Sequence, residues 1–250
     1  MYSFTSRVRY SESDVNQDLS LTGIINYLQD CSTFQSEDLK QGLAFLAAKH
    51  RAWWLSSWQI VIERYPRFGE EIVISTWPYD FKGIYGYRNF TIQDKAGTYL
   101  VKANSLWFLF DTAAGRPVRV EEEDVRAYGT GAEGKLDMEY APRRIMIPKE
   151  YEEAEPVVAA PHHIDTNHHV NNAQYVEIAR EALSGTGKIR ELRVEYKKAA
   201  VLGDIICPRI SRADGACTVA LCSQDGQPYA VVWMQIDEET VVKVRPEGEN

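Results

Sequence analysis

The sequence predicts an α+β protein made of two copies of one unit, a helix followed by an antiparallel meander of strands. Three observations carry this reading. An Asp-x-Asn segment occurs twice at an offset of 151, as Asp14-Val15-Asn16-Gln17-Asp18-Leu19 and as Asp165-Thr166-Asn167-His168-His169-Val170. Each copy opens a stretch whose apolar residues recur at spacings of three and four, the period of an amphipathic helix. Each helix is then followed by alternating apolar patterns and by a similar turn, Arg67-Phe68-Gly69-Glu70 in one half and Val201-Leu202-Gly203-Asp204 in the other.

In the first half the helical face is Leu21, Ile24, Ile25 and Leu28, and Trp58, Ile60 and Ile62 share one face of a strand. Further strands are expected at 72–76, 87–93 and 100–110, the last two separated by the turn Asp94-Lys95-Ala96-Gly97. In the second half, Asn171 or Asn172 stands where a helix N-cap belongs, ahead of Tyr175, Val176, Ile178, Ala179, Ala182 and Leu183. Leu192, Val194 and Tyr196 mark the next strand face, followed by strands at 205–210, 218–222 and 230–236 around the turn Asp225-Gly226. The intervening stretch 111–155 carries 12 acidic and 7 basic residues, a net of −5 out of −8 for the whole chain. So long a connection is unusual inside one domain. The expected division is therefore 1–112, a connecting segment 113–155, and 156–250.

With 44% hydrophobic and 26% charged residues, the composition is that of a globular protein, which excludes disordered, collagenous and disulfide-scaffold classes. The acidic balance disfavours nucleic acid and anionic membrane as partners. No apolar run is long enough to cross a bilayer. The first ten residues include Arg7 and Arg9 but lack the apolar core of a secretory leader. Four cysteines without paired short spacing point to reduced thiols and a cytoplasmic setting.

Chemistry concentrates at 162–169, where four of the five histidines fall beside Asp165 and Asn167. Read as an extended segment, Asp165, Asn167 and His169 would share one side and deliver a carboxylate, an amide and an imidazole to a helix start. The backbone N–H groups around Val170–Asn172 would be placed there to steady an oxyanion. The segment from His163 to Val176 resembles the motif of plant and bacterial acyl-acyl carrier protein thioesterases. The likeness continues at Leu192-Arg193-Val194-Glu195-Tyr196-Lys197 and, in the first half, at 7–26 and 53–62. This resemblance implies two tandem hotdog domains, each an antiparallel sheet wrapped around a central helix. Asp18 occupies the place of His169 in the first copy, so the first domain is expected to bind the acyl chain and the second to be catalytic. The resemblance also implies hydrolysis of acyl-carrier-protein thioesters to free fatty acid, with Asp165, Asn167, His169 and Glu195 as the catalytic set. No cofactor and no metal are implied. The partner would be an acylated carrier protein, and the chain itself a monomer or a homodimer. Where some accounts of the plant members place a nucleophilic cysteine, this chain has Ala200, so activated water must do the work.

Other readings compete. From its pattern alone, Glu195 falls with Glu191, Arg193 and Lys197 on a solvated strand face, and only the resemblance makes it catalytic. His162, His163 and His168 read as loop or surface residues, and no zinc-type spacing accompanies them. Asp14-x-Asn16-x-Asp18 fails as a calcium loop because Leu19 replaces its glycine. The run 129–135 fails as a phosphate loop because Leu136 follows Lys135. Five of six tryptophans lie in the first half, as core or as walls of an acyl tunnel. An acyl-CoA thioesterase, a hotdog dehydratase and a non-catalytic acyl-binding protein remain rivals. Because carrier proteins are acidic, docking calls for a local basic patch, with Arg143, Arg144, Lys149, Arg190, Arg193, Lys197 and Lys198 as candidates.

Overall fold

The computed structural model describes residues 1–130, 133–183, 187–213 and 215–237. They form two compact units, Met1–Arg143 and Arg144–Asn250, each with its own sheet and helix. Gly131 and Ala132 of the glycine-rich run lie outside the described residues.

In the first unit β1 (Tyr2–Arg7), β2 (Arg51–Ile62), β3 (Glu71–Lys82), β4 (Tyr85–Asp94) and β5 (Tyr99–Asp111) pair in the antiparallel order β1-β3-β4-β5-β2. Register makes the core legible: Phe4, Ile74, Ile92, Val101 and Ile62 form one row across all five strands. Against this face lies α1 (Leu21–Asp38), its stripe of Leu21, Ile24, Ile25, Leu28 and Cys31 fully buried. Ser20 caps it, Oγ accepting from Gly23 N–H at 3.0 Å. Two rows further along sits Arg88, also buried. Its guanidinium donates to Gln35 and Thr76 and lies 5.7 Å from the Tyr128 ring centroid; burial pulls its pKa down to about 10.

The sequence pattern alone missed β1 and two short helices, α2 (Leu43–Ala48) and α3 (Glu122–Tyr128). The acidic run Glu121–Asp124 is the start of α3, where negative side chains complement the helix dipole. A two-residue strand, β6 (Arg116–Pro117), pairs with β5 just before it. Residues 133–141 cover the sheet face opposite α1. Asn89 Oδ1 accepts from Leu136 N–H and the Tyr140 hydroxyl, both at 3.0 Å, and Trp77 Nε1 donates to Gly134 O at 2.8 Å. Gln59 spends its amide on Glu139 O and Ala141 N–H. β2 is therefore buried on both faces from Leu55 to Ile60, and Trp58 and Ile60 show only one of them.

The second unit repeats the plan. β9 (Ile189–Tyr196), β12 (Pro228–Ile236), β11 (Ala216–Cys222) and β10 (Ile205–Ala213) pair in that order. The short β7 (Glu152–Glu153) and β8 (Val157–Val158) both pair with β10. One row runs Val194, Val232, Val219, Ile210. The buried stripe of α4 (Asn172–Ala182), Ala173, Tyr175, Val176, Ile178 and Ala179, packs on this sheet. Among the described residues no helix is long and apolar enough to cross a membrane.

Candidate active site

The Asp165–His169 segment is not extended. Asp165 N–H donates to His169 O at 2.8 Å and His168 N–H to Asp165 O at 3.1 Å, closing a tight loop in which His168 adopts a left-handed φ of 62°. The Asp165 carboxylate turns inward: Oδ1 accepts from the backbone N–H groups of Asn167 (2.8 Å) and His169 (3.3 Å). That local bonding defeats the expectation of three side chains on one side of a strand. Asn167 is exposed and His169 half-buried, while Asp165 shapes the loop that presents them.

The first unit holds the same loop bond for bond. Asp14 Oδ1 accepts from Asn16 and Asp18 N–H at 2.8 and 3.1 Å, and Gln17 has a φ of 64°. Both loops are tied to the Gly-acid turn. Leu19 N–H donates to Pro66 O and Val170 N–H to Ala200 O, at 2.7 and 2.9 Å. Gly69 and Gly203, with φ of 80° and 87°, need the freedom of glycine to close those turns. What differs is the cargo. Asp18 is buried with Arg67 Nε 3.9 Å away where the second unit has His169, and Val61 stands where it has Glu195.

Glu195 projects from the sheet face opposite Leu192 and Val194, yet it is buried, only 8% exposed, contrary to the solvated face its pattern suggests. The reason is Ile145, itself buried, whose N–H donates to Glu195 Oε2 at 3.1 Å; Lys197 Nζ lies 3.0 Å from Oε1. Asp165, Asn167 and His169 are thus assembled on one loop, whereas the partners of Glu195 are Ile145 and Lys197. Two of the expected oxyanion donors are committed elsewhere, Val170 N–H to Ala200 O and Asn171 N–H to His163 O (2.8 Å), and Asn171 itself caps α4.

His162 and His168 are exposed as expected, but His163 is not. It is buried with Nδ1 accepting from Ala160 N–H at 3.0 Å, and burial together with the neighbouring His162 holds its pKa below the usual imidazole value. Its signal was the repeat: it occupies the place of Glu12 and supplies the carbonyl that Asn171 needs.

No thiol can act at residue 200. Ala200 is buried, its N–H donating to the Tyr175 hydroxyl at 2.7 Å. Elsewhere, burial pushes the Cys31 thiol up to about 12 and raises those of Cys217 and Cys222. Cys207 is only half-buried, but none of the four thiols lies on the Asp165–His169 loop, so iodoacetamide at neutral pH is expected to leave native turnover intact. Inactivation that tracks modification of one cysteine would overturn a water-based mechanism.

A sheet closed over a single helix, present twice in one chain with an Asp-x-Asn loop at each helix entrance, defines the tandem hotdog class. Sequence models for the N-terminal and C-terminal domains of acyl-ACP thioesterases match residues 1–128 and 149–235. The chain belongs to the acyl-ACP thioesterase family. It is 22% identical over 246 residues to a chloroplastic palmitoyl-acyl carrier protein thioesterase of Arabidopsis thaliana, covering 88% of this chain and 60% of that one. The chain spans between 51 and 60% of the length of the curated relatives it matches. Similar folds are an acyl-ACP thioesterase from Bacteroides thetaiotaomicron (TM-score 0.83, 19% identity, 94% of this chain and 97% of that one) and a 12:0-ACP thioesterase from Umbellularia californica (0.81, 17%, 94% and 96%).

Proposed function

We propose that this protein hydrolyses acyl-carrier-protein thioesters, releasing free fatty acid and ending chain growth in fatty acid synthesis. The observation that carries the reading is the pair of identical loops of which only the second bears an imidazole, inside a family of acyl-ACP thioesterases. The first unit takes the acyl chain and the second cleaves it.

The four residues act unequally. His169 is the general base, since an imidazole can both take and return a proton. It removes a proton from water as the oxygen attacks the thioester carbonyl carbon. Asn167 donates its amide N–H to the carbonyl oxygen as that oxygen becomes negative, a contact worth about 3–4 kcal/mol in comparable sites. The tetrahedral intermediate then expels the thiolate, which recovers the proton from His169 and leaves as the carrier's thiol. Asp165 keeps the loop closed. Glu195, engaged by Ile145 and Lys197, acts as a positioning residue for the adjoining chain.

The reaction runs in the cytoplasm on this reading, in keeping with four cysteines that are all free. Assay with matched acyl chains on carrier protein and on CoA tests it. The carrier substrate is expected to show kcat/KM at least about tenfold higher, near 1.4 kcal/mol of discrimination. Faster turnover of the CoA ester would transfer the protein to that substrate class, and tight acyl binding without turnover would make it a carrier.

A further inference from the structure

We infer that the edge of the second unit formed by Arg144, Lys197 and Lys198, with the exposed Met146 two residues after Arg144, is the docking surface for the acidic carrier protein; this rests on the function proposed above. In a chain of net charge −8, such a partner is attracted only where cations escape local neutralisation. Most of the second unit's arginines are internally paired: Arg190 with Asp237 (2.9 Å), Arg212 with Glu152 (3.0 Å), Arg209 with Glu153 (3.7 Å) and Arg180 with Glu177 (4.0 Å). Arg193 lies over the Trp233 ring at 5.6 Å. Arg144 and Lys198 are exposed and have no ion pair within 4.0 Å among the described residues, although Lys198 Nζ lies 5.7 Å from the Tyr229 ring centroid and Asp225 feels it at longer range.

Glu195 brings these charges together. One oxygen takes Ile145 N–H and so seats Arg144 and Met146 beside the end of β9; the other holds Lys197, next to Lys198. With Glu195 and the more distant Asp225 against three cations, the edge keeps a surplus of positive charge. It also has an apolar component, since Met146 is 73% exposed. Cations on a surface that also exposes a methionine suit an acidic protein surface that offers an apolar contact.

The edge lies next to the candidate loop. Ala200, two residues after Lys198, accepts from Val170 N–H, and Val170 follows His169 directly. Two residues span at most about 7 Å. A carrier seated on Lys198 would present its acyl arm close to the imidazole.

Binding of apo carrier protein provides the test, because it requires neither turnover nor the phosphate of the arm. The double variant Arg144→Glu, Lys198→Glu is expected to weaken binding by about tenfold or more and to flatten its dependence on salt. Arg144→Gln with Lys198→Gln should fall between the variant and wild type, and thermal melts of all three should coincide. Hydrolysis of a small neutral acyl thioester should keep its KM. Unchanged carrier binding in the folded double variant overturns the docking surface, and so does an equal loss on the small thioester. Carrier binding that responds as expected without any thioester hydrolysis would leave the docking surface standing and overturn the hydrolase reading instead.

Discussion

Replacing His169 with alanine is expected to lower kcat by about 10²–10⁴-fold, the usual contribution of a positioned base, while the melting temperature stays near that of wild type. The structure separates the two effects. His169 joins the loop through its backbone, with O accepting from Asp165 N–H and N–H donating to Asp165 Oδ1, and neither bond needs the ring. Glu195→Gln serves as the comparison. Glutamine keeps an acceptor for Ile145 N–H and loses only the charge opposite Lys197. Its kcat should fall within about tenfold of wild type, far less than a lost base costs. A Glu195→Gln loss as deep as that of His169→Ala would make the Glu195 carboxylate the base instead.

Asp165→Ala is expected to damage both stability and turnover, and its counterpart in the first unit to damage stability alone. Each aspartate holds two backbone N–H groups on one oxygen, at 2.8 and 3.3 Å for Asp165 and 2.8 and 3.1 Å for Asp14. Bonds to a charged acceptor contribute about 1.5–3 kcal/mol each when sheltered. Both aspartates are partly exposed, so about 2 kcal/mol in total is the expected cost of either alanine variant. Chemical denaturation would measure it. Only Asp165→Ala releases Asn167 and His169 from their loop, and its kcat should drop by about 10²-fold. Asp14→Ala should stay within about threefold of wild type per folded molecule, a surface-like effect on turnover. Asparagine at 165 retains the accepting oxygen and should recover most of the activity. Equal kinetic losses at 14 and 165 would show that the first loop also serves the reaction.

Period and repeat carried the reading of the fold a long way. The stripes at Leu21–Leu28 and Tyr175–Ala179 and the matched turns before Glu70 and Asp204 each reappear as packed elements, because burial on one face leaves a pattern in the chain. What stayed hidden depends on contacts distant in sequence. Gln59 and Asn89 are polar residues mid-strand, and nothing local announces that residues 133–141 will satisfy them. Glu195 reads as solvated because Ile145, fifty residues away, supplies its cover. The loop deceived in the opposite way. Its residue types were legible, but the alternation rule holds only for extended chain, and Asp165 bends that chain onto its own carboxylate.

The two loops also bear on ancestry. Since the scaffold of each is backbone bonded to one aspartate, the residue two positions beyond its asparagine can change without disturbing the turn. That residue is Asp18 in one loop and His169 in the other. Aspartate and histidine codons differ in a single base, so one point mutation in a duplicated gene suffices to exchange one residue for the other, and the divergence of the two loops needs no intermediate that fails to fold.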